Sequence, residues 1–381
     1  MLCADFTNEL SMNHAVWKKI ITKKSYRKIM RNRVNISGKW KALLLIVFLL
    51  PLFICNIVEY FTVPPENNRQ ETVTVKIEKG LALSQVADTL LFYHIIDNKN
   101  SFIYWAKILG YETRLKAGLF QVPKNLNELQ VLRYLIKAPP KEIFVTLIEG
   151  WDNRQIANAL AQKIGLNAQK FDSLCSDEAF IRRLGIDEPN LLGYLLPDTY
   201  AFLWGTSEEQ AIRFLVGQTM ALFKPDSVQA ALKQLKMSVH DILTLASIVE
   251  GEAILDNERA TIASVYYNRL NRGMRLQADP TIQFIVEGPP RRLLLKDLEI
   301  DSPYNTYKYK GLPPGPINNP GRLSILAALF PANTNYLYFV ARGDGSHVFS
   351  RTAKEHARAK QQFDKVRRRV RLEKKKARKV N

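Results

Sequence analysis

The stretch SVHDILTLASIVEGEA (238–253) is the longest apolar segment in the second half of the chain to carry its own start signal, and the fold is read outward from it. Ser238, three residues before Asp241, has the pattern of a capping box, in which side chains satisfy the free N–H groups of a first helical turn. Ile242, Leu245, Ala246 and Val249 follow at helical spacing as an apolar stripe. The spacing predicts a helix that docks on a core and ends at two carboxyl groups, Glu250 and Glu252. At about 3.6 residues per turn these lie roughly 200° apart, so Glu250 falls beside the stripe and Glu252 is expected to point into solvent. A carboxyl at the rim of an apolar face loses hydration, its pKa rises, and it suits a general acid. An amphipathic helix that merely finishes on a surface glutamate has the same pattern, so spacing alone leaves both readings open.

Around this helix the chain reads as α+β. Helices dominate residues 153–235, interrupted by LLGYLLPDTYAF (191–202), and a second helix is expected over 258–270. Residues 277–321 then form a long polar region rich in glycine and proline, of the kind that is commonly functional in a compact domain. Within it RLQADPT (275–281) carries Gln277 and Asp279, and SPYNTYKYKGLPPGPINNPG (302–321) carries Tyr304, Asn305, Thr306 and Tyr307. Rings and amides suit sugar recognition; an ordered connector whose prolines limit chain entropy is the equal alternative. YLYFVARGDGSHVFS (336–350) predicts a hairpin in which the Gly and Asp of its RGD triplet serve turn geometry rather than adhesion, and a helix follows through Phe363.

Upstream, TVTVKIE (72–78) alternates like a half-buried strand, and a short helix capped by Ser84 is expected over 83–93. Another helix at SFIYWAKILG (101–110), a strand in LKAGLFQVPKN (115–125) and a helix at 126–137 complete a small α+β module, residues 64–140, closed by Pro139 and Pro140. The strand IFVTLIEG (143–150) opens a larger mixed α+β domain, residues 141–364.

The ends carry the charge. ALLLIVFLLPLFIC (42–55), continued to Val63, approaches the ~20 residues needed to cross a bilayer, which predicts a single transmembrane helix over 42–63. Ten lysines and arginines and no acid lie between Lys18 and Lys41, whereas Glu59, Glu66 and Glu71 follow the apolar run. The basic segment 1–41 is therefore expected in the cytoplasm and everything after Val63 outside it. The net charge of +19 is concentrated between Lys18 and Lys41 (+10) and in the tail KVRRRVRLEKKKARKVN (365–381, +9), and the other residues together sum to zero. That distribution argues against nucleic acid, which needs its basic patch on the folded domain. A solvated tail held to anionic lipid or an anionic wall polymer fits better.

Of the three cysteines, Cys3 lies in the cytoplasmic segment, Cys55 in the membrane run, and Cys175 alone is exported, so no intrachain disulfide is expected outside. No HExxH, CxxC, GxSxG or GxxxxGK[ST] motif occurs, and neither a metal nor a cofactor is expected.

GYLLPDTY, LASIVEGEA, ERATIASVYYNRLNRGMRLQADPT, SPYNTYKYKGLPPGPINNPG and HVFSRTAKEH, in this order, resemble the endolytic murein transglycosylase family, also called YceG-like. The resemblance covers roughly residues 72–363 and includes the preceding anchor. It implies a LysM-like first module, with LKAGLF as its matching segment, and a transglycosylase domain that cleaves peptidoglycan glycan strands within the chain. By that resemblance Glu250, the first glutamate of the ASIVExE motif, is the catalytic acid, and Asp198, Gln277, Asp279, Tyr304, Asn305, Thr306 and Tyr307 are candidates for substrate binding. Leu192 and Ala278 depart from the residues common at their places. The implied reaction gives 1,6-anhydromuramic ends at the bacterial cytoplasmic membrane, on nascent strands beside a peptidoglycan synthase (penicillin-binding protein) complex. A hydrolytic muramidase using Asp279 as second carboxyl, or a wall-binding scaffold without activity, are the alternatives.

Overall fold

A computed structural model describes residues 71–289, 291–364 and 368. The expected membrane helix, the basic segment before it and the tail apart from Arg368 lie outside the described residues. No helix among the described residues is long and apolar enough to cross a membrane.

The first hydrophobic cluster gathers β1 (Thr72–Ile77), α1 (Leu83–Phe92), α2 (Lys99–Ile108), β2 (Gly118–Pro123) and α3 (Glu128–Lys137). The strands pair antiparallel, with Val75 opposite Phe120 and Ile77 opposite Gly118. Val75, Ile77, Phe120 and Val122 alternate into the core, the period-two pattern of a sheet with one wet face. Ser84 lies inside α1 rather than at its cap; the free N–H of Ala82 is met by Gln85 Oε1 at 2.8 Å.

A second, larger cluster begins at β3 (Glu142–Thr146), which pairs antiparallel with β4 (Thr199–Leu203). Between these strands run α4 (Asn153–Ile164), α5 (Ala168–Leu174) and α6 (Glu178–Arg183). After β4 come α7 (Glu208–Leu222), α8 (Asp226–Leu235) and α9 (Val239–Glu252). The capping box of α9 forms as expected: Asp241 N–H donates to Ser238 Oγ at 3.0 Å, and Ser238 N–H to Asp241 Oδ2 at 2.8 Å. The apolar stripe does not: all residues from Ile242 to Val249 are buried, so α9 is sheathed on every side.

The sheath is made by α10 (Arg259–Asn271), the short α11 (Asp279–Ile285) and α12 (Arg322–Leu329). The hairpin of β5 (Tyr338–Ala341) and β6 (His347–Ser350) follows, and residues 353–364 form the last helix, α13. In the hairpin turn Asp344 Oδ1 accepts from the N–H of Ser346 at 2.9 Å, a turn role for the RGD aspartate. Cys175 is fully buried in the second cluster, and burial pushes its thiol up, away from nucleophilic use.

Candidate active site

α9 ends at Ala253, whose extended backbone (φ −80°, ψ 125°) stops the helix just after Glu252. The partly buried side chain of Glu252 enters a groove between α10, the 276–279 turn and the β5–β6 hairpin. Tyr266, on α10, donates its hydroxyl to Glu252 Oε1 at 3.0 Å. Burial raises the Glu252 carboxyl to about 7, the negative charge of Asp279 adds to the rise, and the Tyr266 bond and Arg269 only partly oppose it. Burial also keeps the hydroxyls of Tyr266 and Tyr307 protonated, so both act as donors.

Glu252 and Asp279 stand where two cavities meet. One, of about 500 Å³, runs toward His347, His356 and Phe363; the other, of about 710 Å³, runs past Pro280 and Phe284 to Gly150 and Asp152. A linear polymer laid through both would pass over Glu252 with chain on either side, the arrangement that cutting within a strand requires.

Glu250 lies beside the buried face of α9, as the helical phase implies, but within a cluster of polar partners. Its carboxylate receives Arg259 Nη1 on Oε1 at 3.0 Å and the Gly321 N–H on Oε2 at 2.9 Å, and the Glu250 and Arg259 side chains are each 7% exposed. Arg259 also holds Asp256 through Nε at 2.9 Å, donates to Ser324 Oγ at 2.6 Å and lies 3.8 Å from Glu149. Both oxygens of Glu250 are thus taken up by Arg259 and the Gly321 N–H, whereas Glu252, expected in solvent, lines the groove. The reason is the sheath: a helix covered on all sides has no solvent face for phase to select.

The remaining predicted residues divide. Asp279 accepts from the Tyr307 hydroxyl at 2.5 Å, and Gln277 lines the groove in a left-handed backbone (φ +50°). Asn305 and Thr306, by contrast, are closed to substrate, being 0% and 2% exposed. Asn305 Nδ2 donates to the carbonyls of Leu298 and Ile300. Thr306 receives the N–H of Ala278 on Oγ1 at 2.9 Å and that of Gln277 on its carbonyl at 3.1 Å. They hold the turn that presents Gln277 and Asp279. Tyr304 rests on Phe284 with ring centroids 4.9 Å apart, one layer behind the groove wall. Asp198 does not reach Glu252 either; its charge bears on Glu149, whose pKa is raised by burial, then by Glu250.

Tyr266 and Arg269 were not singled out by sequence, although a tyrosine and an arginine at i, i+3 inside the apolar run VYYNRL were a usable signal. Arg269, 7% exposed, ties Nε to the Leu337 carbonyl at 2.7 Å and Nη1 to that of Leu276 at 2.5 Å, joining hairpin to turn.

The model of the YceG-like family matches residues 75–362. The endolytic murein transglycosylase of Bacillus subtilis is 37% identical over 316 residues, covering 79% of this chain and 87% of the relative. The protein of that name from Streptococcus pneumoniae D39 is 31% identical over 77% of this chain, which spans 59% of that longer relative. A crystal structure of a YceG-like protein from Listeria monocytogenes superposes with a TM-score of 0.52 at 36% identity, over 76% of this chain and 98% of the other. Matched over residues 75–362 by the family model and over 79% of its length by a relative 37% identical to it, the chain belongs to the YceG-like family.

Proposed function

We propose that this protein is an endolytic murein transglycosylase that cleaves the β-1,4 bond between N-acetylmuramic acid and N-acetylglucosamine within glycan strands, with Glu252 as the acid and then the base. One observation carries the assignment of the acid: a carboxyl held near pKa 7 at the meeting point of a two-sided groove. Protonated Glu252 donates to the glycosidic oxygen as the C1–O bond breaks. Its carboxylate then takes the proton of the muramic-acid C6 hydroxyl as that oxygen bonds to C1, giving a 1,6-anhydro end. No water is consumed, and one carboxyl serves both steps. Burial, and after it the charge of Asp279, hold Glu252 protonated, and Asp279 with Tyr307 faces the cation that develops at C1.

Product analysis on uncrosslinked glycan tests this. Wild type is expected to release 1,6-anhydromuramic ends, and Glu252→Gln none. Reducing muramic ends would instead identify a muramidase in which Asp279 is the second carboxyl.

The β-α-α-β order of the first module supports reading it as LysM-like, a holder of the strand. The apolar run 42–63, with its basic flank, supports a single span in the bacterial cytoplasmic membrane with the catalytic domain outside. At that place the enzyme meets nascent strands and a penicillin-binding synthase, and cleavage there ends elongation.

A further inference from the structure

The two halves of the groove differ in charge. The half toward the hairpin is lined by Arg269, His347, His356 and Lys360, whereas the half toward Gly150 has no basic residue among its lining side chains. Two of the four are already committed. Arg269 spends its donors on the Leu337 and Leu276 carbonyls. His356 lies flat on Tyr338, and burial, then Arg269 and Lys360, lowers its pKa, so it is neutral at pH 7.

His347 and Lys360 remain. The backbone N–H of His347 donates to Glu258 Oε1 at 3.0 Å, which already ties the hairpin to α10. Its ring Nδ1 lies 2.7 Å from Glu258 Oε2, and Phe339 meets the ring edge-on at 5.3 Å, so the imidazole is fixed in orientation as well. Glu258 thereby fixes the Nδ1–H form and leaves Nε2 as the one uncommitted polar atom of the ring. Lys360 makes no ion pair among the described residues.

Sugar rings are uncharged and offer a cation little; the anionic groups of a murein strand are the carboxylates of the peptide arms on its muramoyl residues. We propose that the hairpin half of the groove receives such a peptide arm, a carboxylate of which meets His347 Nε2 and Lys360 Nζ, so that peptide-bearing strands are preferred over stripped ones. A carboxylate there accepts from Lys360 Nζ, and from His347 Nε2 when that nitrogen carries a proton. Glu258 is a positioning residue in this subsite. The inference rests on the transglycosylase reading and adds to it which part of the substrate is recognised, and where.

The test compares three uncrosslinked glycan substrates of equal length with the full chain: free-acid peptide arms, amidated arms, and arms removed by an amidase. kcat/KM is read from release of 1,6-anhydro ends. Wild type is expected to prefer free-acid strands over both others by about tenfold, the scale of one charge-assisted contact. In the His347→Gln, Lys360→Ala double variant that ratio falls to about one through a higher KM on free-acid strands. Equal use of free-acid and amidated strands by wild type overturns the proposal without any variant having to fold. So does an unchanged ratio in the double variant. Release of no anhydro ends from any substrate overturns the transglycosylase reading beneath it, which separates the two failures.

Discussion

At the scale of single residues, Glu250 and Glu252 should answer the same isosteric change with opposite signs. The Glu252 carboxyl is raised by burial from 4.5 to about 7, so below pH 4.5 it is protonated in folded and unfolded chains alike and costs nothing. Between those values the unfolded chain ionises first, and folding stability falls with rising pH, by about 3 kcal/mol once pH exceeds 7. Glu252→Gln removes that penalty: denaturant melts at pH 8 should show a more stable protein, melts near pH 4 should show no gain, and cleavage should be lost at both. Wild-type cleavage should itself decline as pH rises through about 7, since the acid must be protonated. Glu250→Gln leaves Arg259 short of a buried partner, and the same melts at pH 7 should show a loss of about 1–3 kcal/mol with cleavage still measurable. If Glu250→Gln proves silent in cleavage and Glu252→Gln active, the assignment fails. Sequence singled out the two carboxyl groups at the end of α9 and chose Glu250, two residues from the acid we propose. It put Glu252 in solvent, where the structure shows it lining the groove, because phase along one helix cannot report what three other elements pack against it.

Among the elements, those set by local chemistry were readable and those set by distant contacts were not. The capping box of α9, the strands β1 and β2 and the β5–β6 hairpin all follow from turn residues, caps and periodicity within a few positions. What joins them does not. Asn319, 0% exposed, accepts the N–H groups of Gly193 and Leu195 on Oδ1 at 2.9 and 3.1 Å. Its Nδ2 donates at 3.0 Å to the Trp151 carbonyl and to Asn153 Oδ1. One amide thus stitches the GYLLPDTY loop, the start of α4 and the segment leading into α12, over sequence separations that no periodicity reveals. Gly193 completes the junction: at φ +87°, a Cβ there would stand 2.5 Å from the Pro316 ring. Asn319→Ala strands several buried groups at once and should lower stability by about 3 kcal/mol or more in urea melts. It should also slow cleavage, because Asn319 precedes Gly321, whose N–H holds Glu250. A loss no larger than that of an exposed asparagine would show that the junction is held by packing alone.

For the whole molecule, charge and chemistry occupy different parts of the chain. Both basic segments lie toward the ends, residues 18–41 and 365–381, while the stretch between them, which includes the groove, carries a net charge of only +2. Charge within the groove is local and of both signs, so its affinity for glycan should depend on salt only through a few contacts. A run of ten bases with a single acid behaves otherwise: each Lys or Arg near an anionic surface contributes about 1 kcal/mol, and the sum falls steeply as salt screens it. Truncation after Arg368 removes most of that run and keeps helix α13, with Lys360 and Phe363 in the groove wall. The truncated protein should cleave soluble glycan with the wild-type kcat/KM, and its association with anionic-lipid vesicles at low salt should drop by about tenfold or more. High salt should bring wild type down to the level of the truncation. Equal cosedimentation of the two at low salt would leave the tail without a surface to hold. A matching fall in cleavage of soluble glycan would place the tail in the groove's own work, against the separation of charge from chemistry along the chain.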